Sequence, residues 1–170
     1  MELKEKILKT VFEAAELIET KYLTDDEIQM IIGGVAMGVE CVFQKIENDM
    51  NVREEIVSKI INELQDKYIK SKEKIYYWED TKINYMGGKN MSNDKEILVS
   101  LLNKLEKRRQ NGATERELGY LLEGFSIALE DTELSKEGME LIKRIYKELK
   151  NNKDGKQNVI EKYIVYCSIL

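Results

Sequence analysis

Residues 24–42, TDDEIQMIIGGVAMGVECV, and residues 114–132, TERELGYLLEGFSIALEDT, are two versions of one pattern, ninety positions apart. Thr24 aligns with Thr114, Glu27 with Glu117, Gly34 with Gly124, and Glu40 with Glu130. The apolar positions follow: Ile28, Ile31 and Ile32 face Leu118, Leu121 and Leu122, while Val35 and Val39 face Phe125 and Leu129. Upstream, Ile7, Leu8, Val11, Phe12 and Ala15 match Ile97, Leu98, Leu101, Leu102 and Leu105 at the same offset. Downstream, Ile56, Val57, Ile60, Ile61 and Leu64 match Leu141, Ile142, Ile145, Tyr146 and Leu149 after a small gap. Even EKIYYW (73–78) has a counterpart in EKYIVY (161–166). A self-similarity of this length reads as an internal duplication, and it limits the fold to architectures made of two like units.

Each unit reads as three helices and a short apolar tail. The apolar spacing of i, i+3/i+4 and i+7 places the first helix at 3–20 and again at 94–110. The second helix begins at a capping box, Thr24-x-x-Glu27 and Thr114-x-x-Glu117, in which threonine and glutamate satisfy each other's orphan amides. The third covers 51–70 and 136–150, and Lys143, Arg144, Lys147 and Lys150 suit the negative end of its helix dipole. The expected fold is therefore mainly α: a helical bundle of two tandem three-helix repeats related by a pseudo-twofold. The repeats span 3–86 and 94–170 of a single domain covering 1–170, joined by the linker 87–93. Residues 74–86 fit either a short β-hairpin around Glu79-Asp80 or an aromatic segment, and 159–170 fit a helix better than a strand.

The chain has no proline, yet three glycines lie inside the apolar stretch IIGGVAMGVE (31–40). Each interior glycine costs a helix about 1 kcal/mol relative to alanine, so a compensating contact is required. A phosphate cradle needs glycines at a helix start, where amides are free. Here the capping box puts the start ten residues earlier. Small residues four apart instead permit close approach of two helix backbones. Gly34 and Gly38 in the first repeat, with Gly124 and Ala128 in the second, are the expected crossing. Gly33 aligns with Glu123, and the crossing does not need it.

Composition removes several function classes. There is no histidine among the 170 residues, which excludes Ser-His-Asp and Cys-His catalysis within the chain and any His-ligated metal. Cys41 and Cys167 lie in apolar stretches without a C-x-x-C pair and read as buried, reduced thiols in a cytoplasmic protein. The N-terminal residues alternate charge and apolarity at helical spacing, unlike a signal peptide. The longest apolar run, Ile28 to Phe43, is too short and too interrupted for a membrane span. A net charge of −5 opposes general binding to phosphate backbones.

Residues 113–126, ATERELGYLLEGFS, resemble the first half of a helix-turn-helix, in which a leucine-rich helix leads to a glycine turn. That resemblance implies a DNA-binding regulator. The segment after it presents Glu130, Asp131 and Glu133 where a recognition helix carries cations, and Lys104, Lys107, Arg108 and Arg109 form the better basic patch. Glu40 and Glu130, at equivalent positions, suggest a third class, a carboxylate-based metal binder or enzyme. The reading that fits the residues best is a non-enzymatic interaction protein, a regulator, inhibitor or adaptor with no cofactor. Its partner would be another protein or a second copy of the chain, and Tyr76, Tyr77, Trp78 and Tyr85 are candidate contact residues.

Overall fold

A computed structural model of the chain describes residues 3–44, 47–70, 93–129, 134–152 and 157–169. Among these residues the fold is mainly helical, with no strand. The helices are α1 (Leu3–Glu19), α2 (Asp25–Phe43), α3 (Met50–Tyr68), α4 (Asn93–Gln110), α5 (Glu115–Leu129), α6 (Lys136–Asn151) and α7 (Val159–Ile169). No helix of the described residues is long and apolar enough to cross a membrane. The segment 74–86, expected as hairpin or aromatic segment, lies outside the described residues.

Local chemistry explains most helix ends. At the start of α2, the Glu27 amide donates to Thr24 Oγ1 at 3.2 Å and the Thr24 amide donates to Glu27 Oε1 at 2.9 Å. At the start of α5, Thr114 and Glu117 repeat both bonds at 3.1 Å. Asp49, Ser135 and Asn158 accept the first free amides of α3, α6 and α7. The end of α4 is a Schellman turn: Gly112, at φ +102°, donates to Arg109 O, and Ala113 donates to Arg108 O. Only a residue tolerant of positive φ closes that turn cheaply.

The core forms around α2 and α5. Nearly every α2 residue from Ile28 to Phe43 is buried, as are Leu118, Leu121, Leu122, Phe125 and Leu129 of α5. The remaining helices lie about this pair. α1 and α3 pack on α2, α6 packs on α5, and α7 lies across α4 while also touching α6. α1 additionally touches α5, so the first helix is tied to both central ones.

The central pair meets backbone to backbone. A Cβ added at Gly34 would overlap the Leu121 carbonyl oxygen and sit 2.8 Å from the Phe125 amide nitrogen. A Cβ added at Gly124 would overlap the Ile31 carbonyl oxygen and sit 3.0 Å from the Val35 nitrogen. At Gly38 it would come within 2.5 Å of the Ala128 methyl. Nearer the helix starts Glu27 pairs with Arg116. Contacts thus advance together along both helices, which run in the same direction.

Gly33 points elsewhere. A Cβ there would lie 3.4 Å from Arg108 Nη2, an ordinary contact with the end of a flexible side chain. The two adjacent glycines should therefore respond oppositely to one methyl group. Gly34→Ala is expected to lower unfolding stability by about 1–3 kcal/mol through overpacking, whereas Gly33→Ala should be neutral or stabilise by up to about 1 kcal/mol. Urea denaturation of the two single variants checks the pair, and equal effects would refute the assignment.

Candidate functional site

Three places gather chemistry-bearing side chains. The first is Glu40, which is wholly buried in the last turns of α2. Its Oε1 accepts from Arg53 Nε at 3.2 Å and from Gln44 Nε2 at 3.3 Å. Arg53, in the first turn of α3, also donates through Nη1 to the Glu47 carbonyl at 2.7 Å. The carboxylate thus joins the end of α2 to the start of α3 across the intervening turn. Among the described residues its Oε2 has no hydrogen-bond partner. The arrangement is that of a structural latch, because its charge is already matched by a guanidinium. Glu130, the sequence equivalent, lies outside the described residues. Among the described residues no cluster of three or more His, Cys, Asp or Glu side chains could hold a metal.

The second place is a surface network at the other end of the central pair. Glu27 closes the α2 capping box and also pairs with Arg116 on α5. Burial pushes its carboxyl up, but the Thr24 amide, Arg116 and the Thr24 hydroxyl together hold it below the ordinary value of 4.5. Arg116 and Lys21 approach the Tyr120 ring at 5.6 and 5.5 Å. Lys21 also lies 3.9 Å from Glu123, which accepts from the Tyr146 hydroxyl at 2.5 Å. Burial, then the Glu123 carboxylate, pushes the Tyr146 phenol well above its ordinary value. Tyr146 therefore acts here as a hydrogen-bond donor and not as a base. Sequence reasoning missed this network. Its one local signal is the Arg116/Tyr120 spacing of four, which shares a helix face.

The third place is the α4 C-terminus, where the sequence suggests a basic patch. Arg109 donates to both Glu106 oxygens, at 3.0 and 2.7 Å. Arg108 lies over Gly33 and reaches Met30 Sδ at 3.5 Å. Arg108 and Arg109 are thereby engaged within the fold. Lys143, Arg144, Lys147 and Lys150 are exposed along α6.

The helix-turn-helix resemblance meets a geometric obstacle. α5 runs unbroken from Glu115 to Leu129, so Gly124 is a helical residue and not a turn. The glycine there admits the close approach of the Ile31 carbonyl, which leaves no room for a Cβ. The cysteines are both free and buried, and burial pushes the Cys167 thiol up, away from thiolate reactivity. Tyr76, Tyr77, Trp78 and Tyr85 lie outside the described residues. The structure does bring Gly34, Gly38, Gly124 and Ala128 to one contact, as described above.

Two outcomes test these assignments. Glu40→Ala, which leaves Arg53 buried without its counter-charge, should lower stability by about 3–5 kcal/mol. Glu40→Met combined with Arg53→Met should recover most of that loss in urea titrations, since a matched apolar pair leaves no orphan charge. Separately, Glu27, Glu106 and Glu148 all have carboxyls held below 4.5. The stabilisation each gives is present above the unfolded value and is lost as pH falls through the folded one. Glu115, raised by burial, acts in the opposite sense. Net stability should decline as pH falls below about 4.5, and Glu27→Gln should flatten that decline in acid unfolding curves.

Comparisons with protein-family models, with curated proteins and with solved structures find no match to this chain.

Proposed function

We propose that this chain is a non-enzymatic interaction protein, a regulator, inhibitor or adaptor that works by protein–protein contact. One observation carries the reading. The outer side of α7 presents Val165, Tyr166 and Ile169 at 55, 44 and 81% exposure. At 100° per residue these three share one face about 100° wide, with Ile169 between the other two. The Tyr166 ring is propped edge-on against the buried Tyr163 ring, 6.1 Å between centroids. A pre-ordered aromatic flanked by aliphatic side chains is the composition of a binding hot spot, and contiguous apolar surface marks interaction sites.

The same proposal includes the duplication as its architecture. What supports it is the reciprocity of the central contact. Gly34 meets Leu121 and Phe125, and Gly124 meets Ile31 and Val35, so every partner shifts by the sequence offset. Gly38 meets Ala128, and that pair maps onto itself under the same exchange. A twofold passing near Gly38 and Ala128 produces that pattern. The matched capping boxes at Thr24 and Thr114 agree with it. A dimer of one such unit, later fused, would explain why each half supplies part of a shared core.

The partner reading predicts a specific loss. Proteins captured by the chain from its native host should be lost with Val165→Asp combined with Ile169→Asp, which should weaken a hot-spot contact about 30-fold or more. Thermal unfolding should stay within a few degrees, because both residues are exposed. An unchanged set of captured proteins would overturn the reading. So would salt-sensitive retardation of duplex DNA by the unaltered chain.

A further inference from the structure

The large apolar side chains that the described residues expose gather mainly on two helices. On α7 they are Val165, Tyr166 and Ile169. On α1 they are Leu8 and Phe12, 61 and 68% exposed, which stand at i and i+4 and form one ridge. α1 packs on α2, α3 and α5, whereas α7 packs on α4 and α6. Both strips face solvent in the single chain, so neither covers the other within it.

The edges of the two strips carry opposite charge. Beside the α7 strip, Lys162 stands one turn before Tyr166 and donates to Glu148 of α6 at 2.8 Å. That bond places α6 along the Tyr166 edge. Arg144, one turn before Glu148, acts electrostatically on both Glu148 and the Tyr163 phenol, and Lys143 and Lys147 are exposed on the same helix. With Glu148 taken by Lys162, this edge is cationic. On α1, Glu5 and Glu16 are exposed and, at 100° per residue, lie within about 40° of Phe12. Lys9, further round on that side, is matched by Glu13 at 3.9 Å, and Lys4 stands on the opposite edge of the ridge. The Phe12 edge is therefore acidic. Leu8 to Phe12 and Val165 to Ile169 each cover about 6 Å at 1.5 Å per residue. An apolar ridge with an acidic edge thus matches, in length and in charge, an apolar strip with a basic one.

We propose that the Leu8/Phe12 face of α1 is the docking surface for a second copy of this chain, which engages it with Val165, Tyr166 and Ile169 of α7 and the cationic edge of α6. The proposal rests on the α7 contact surface described above and names its occupant. The two patches differ, so the contact is heterologous. An assembly keeps one open strip at either end, and association continues past the dimer into rings or open chains. A contact between two short helix faces falls at the small end of specific interfaces, with dissociation at about micromolar or weaker.

The test is sedimentation equilibrium of the full chain from about 1 to about 500 µM. The weight-average mass should rise with concentration above that of one chain. It should fall when salt is raised from about 0.1 to about 1 M, as the Debye length shrinks from about 10 to about 3 Å. Leu8→Glu with Phe12→Glu removes one strip, and Val165→Asp with Ile169→Asp removes the other. All four side chains are exposed, so both variants should stay folded. Each variant alone should self-associate about 30-fold more weakly or less. Mixed in equal amounts, they should form a dimer and nothing larger, because one complementary pair of strips remains. Independently of the apolar residues, Glu5→Lys with Glu16→Lys should weaken association about tenfold, and adding Lys143→Glu with Lys147→Glu should restore it. A chain that stays monomeric throughout overturns the proposal. So does association that survives the loss of either strip, or a mixture that forms no dimer. A monomeric chain whose captured host proteins are still lost with Val165→Asp and Ile169→Asp rejects the second copy alone and leaves the α7 surface standing.

Discussion

The contact on which the rest of this fold depends is the one between two bare stretches of helix backbone. At Gly34 and Gly124 each helix occupies the volume that the other's Cβ would need. That geometry draws α2 and α5 together so closely that Ile31, Val35, Leu121 and Phe125 are wholly buried. The helix-propensity cost of the glycines is local and small, about 1 kcal/mol each, whereas the burial they permit extends along both helices. A single methyl group added at either position is therefore felt through the whole core, because close-packed interiors relax only partially.

A second consequence concerns the polar groups. With the central helices buried, their ends and their few charged residues must be satisfied inside the protein. The capping boxes do this at the starts of α2 and α5. Arg53 does it for Glu40, at the cost of removing a guanidinium from water. Glu27 serves twice, accepting from the Thr24 amide and from Arg116 of the neighbouring helix. Charged residues near the core thus act as fasteners between elements, and their chemistry is spent on structure.

This division explains what could be read from sequence. Helix positions were legible, because capping boxes and apolar spacing are local signals written in a few neighbouring residues. The stripe formed by Gly34 and Gly38, and its match at Gly124 and Ala128, was visible for the same reason, but the atoms that meet there, such as the Leu121 carbonyl, were not. The Glu27–Arg116 pair, the Tyr146–Glu123 hydrogen bond and the placement of Arg108 over Gly33 left no local trace. Each joins side chains from different helices, and surface charge offers many equivalent pairings before the fold selects one. The α7 segment was ambiguous because its β-branched and aromatic content favours strand while its spacing favours helix. Packing of Val159, Ile160, Tyr163 and Cys167 into the core decided the matter.

Positions 33 and 123, each one residue before a glycine of the central contact, carry different chemistry. Glu123 engages Lys21 and the Tyr146 hydroxyl. Gly33 lies under Arg108, which also reaches Met30. Glu123 thus meets Lys21 just past the end of α1 through charge, and Gly33 meets Arg108 in the last turn of α4 through bare backbone. One position further on, where backbones touch, Gly34 and Gly124 leave no Cβ in the way. The constraint is therefore steric at the centre and relaxes to any workable chemistry one residue away.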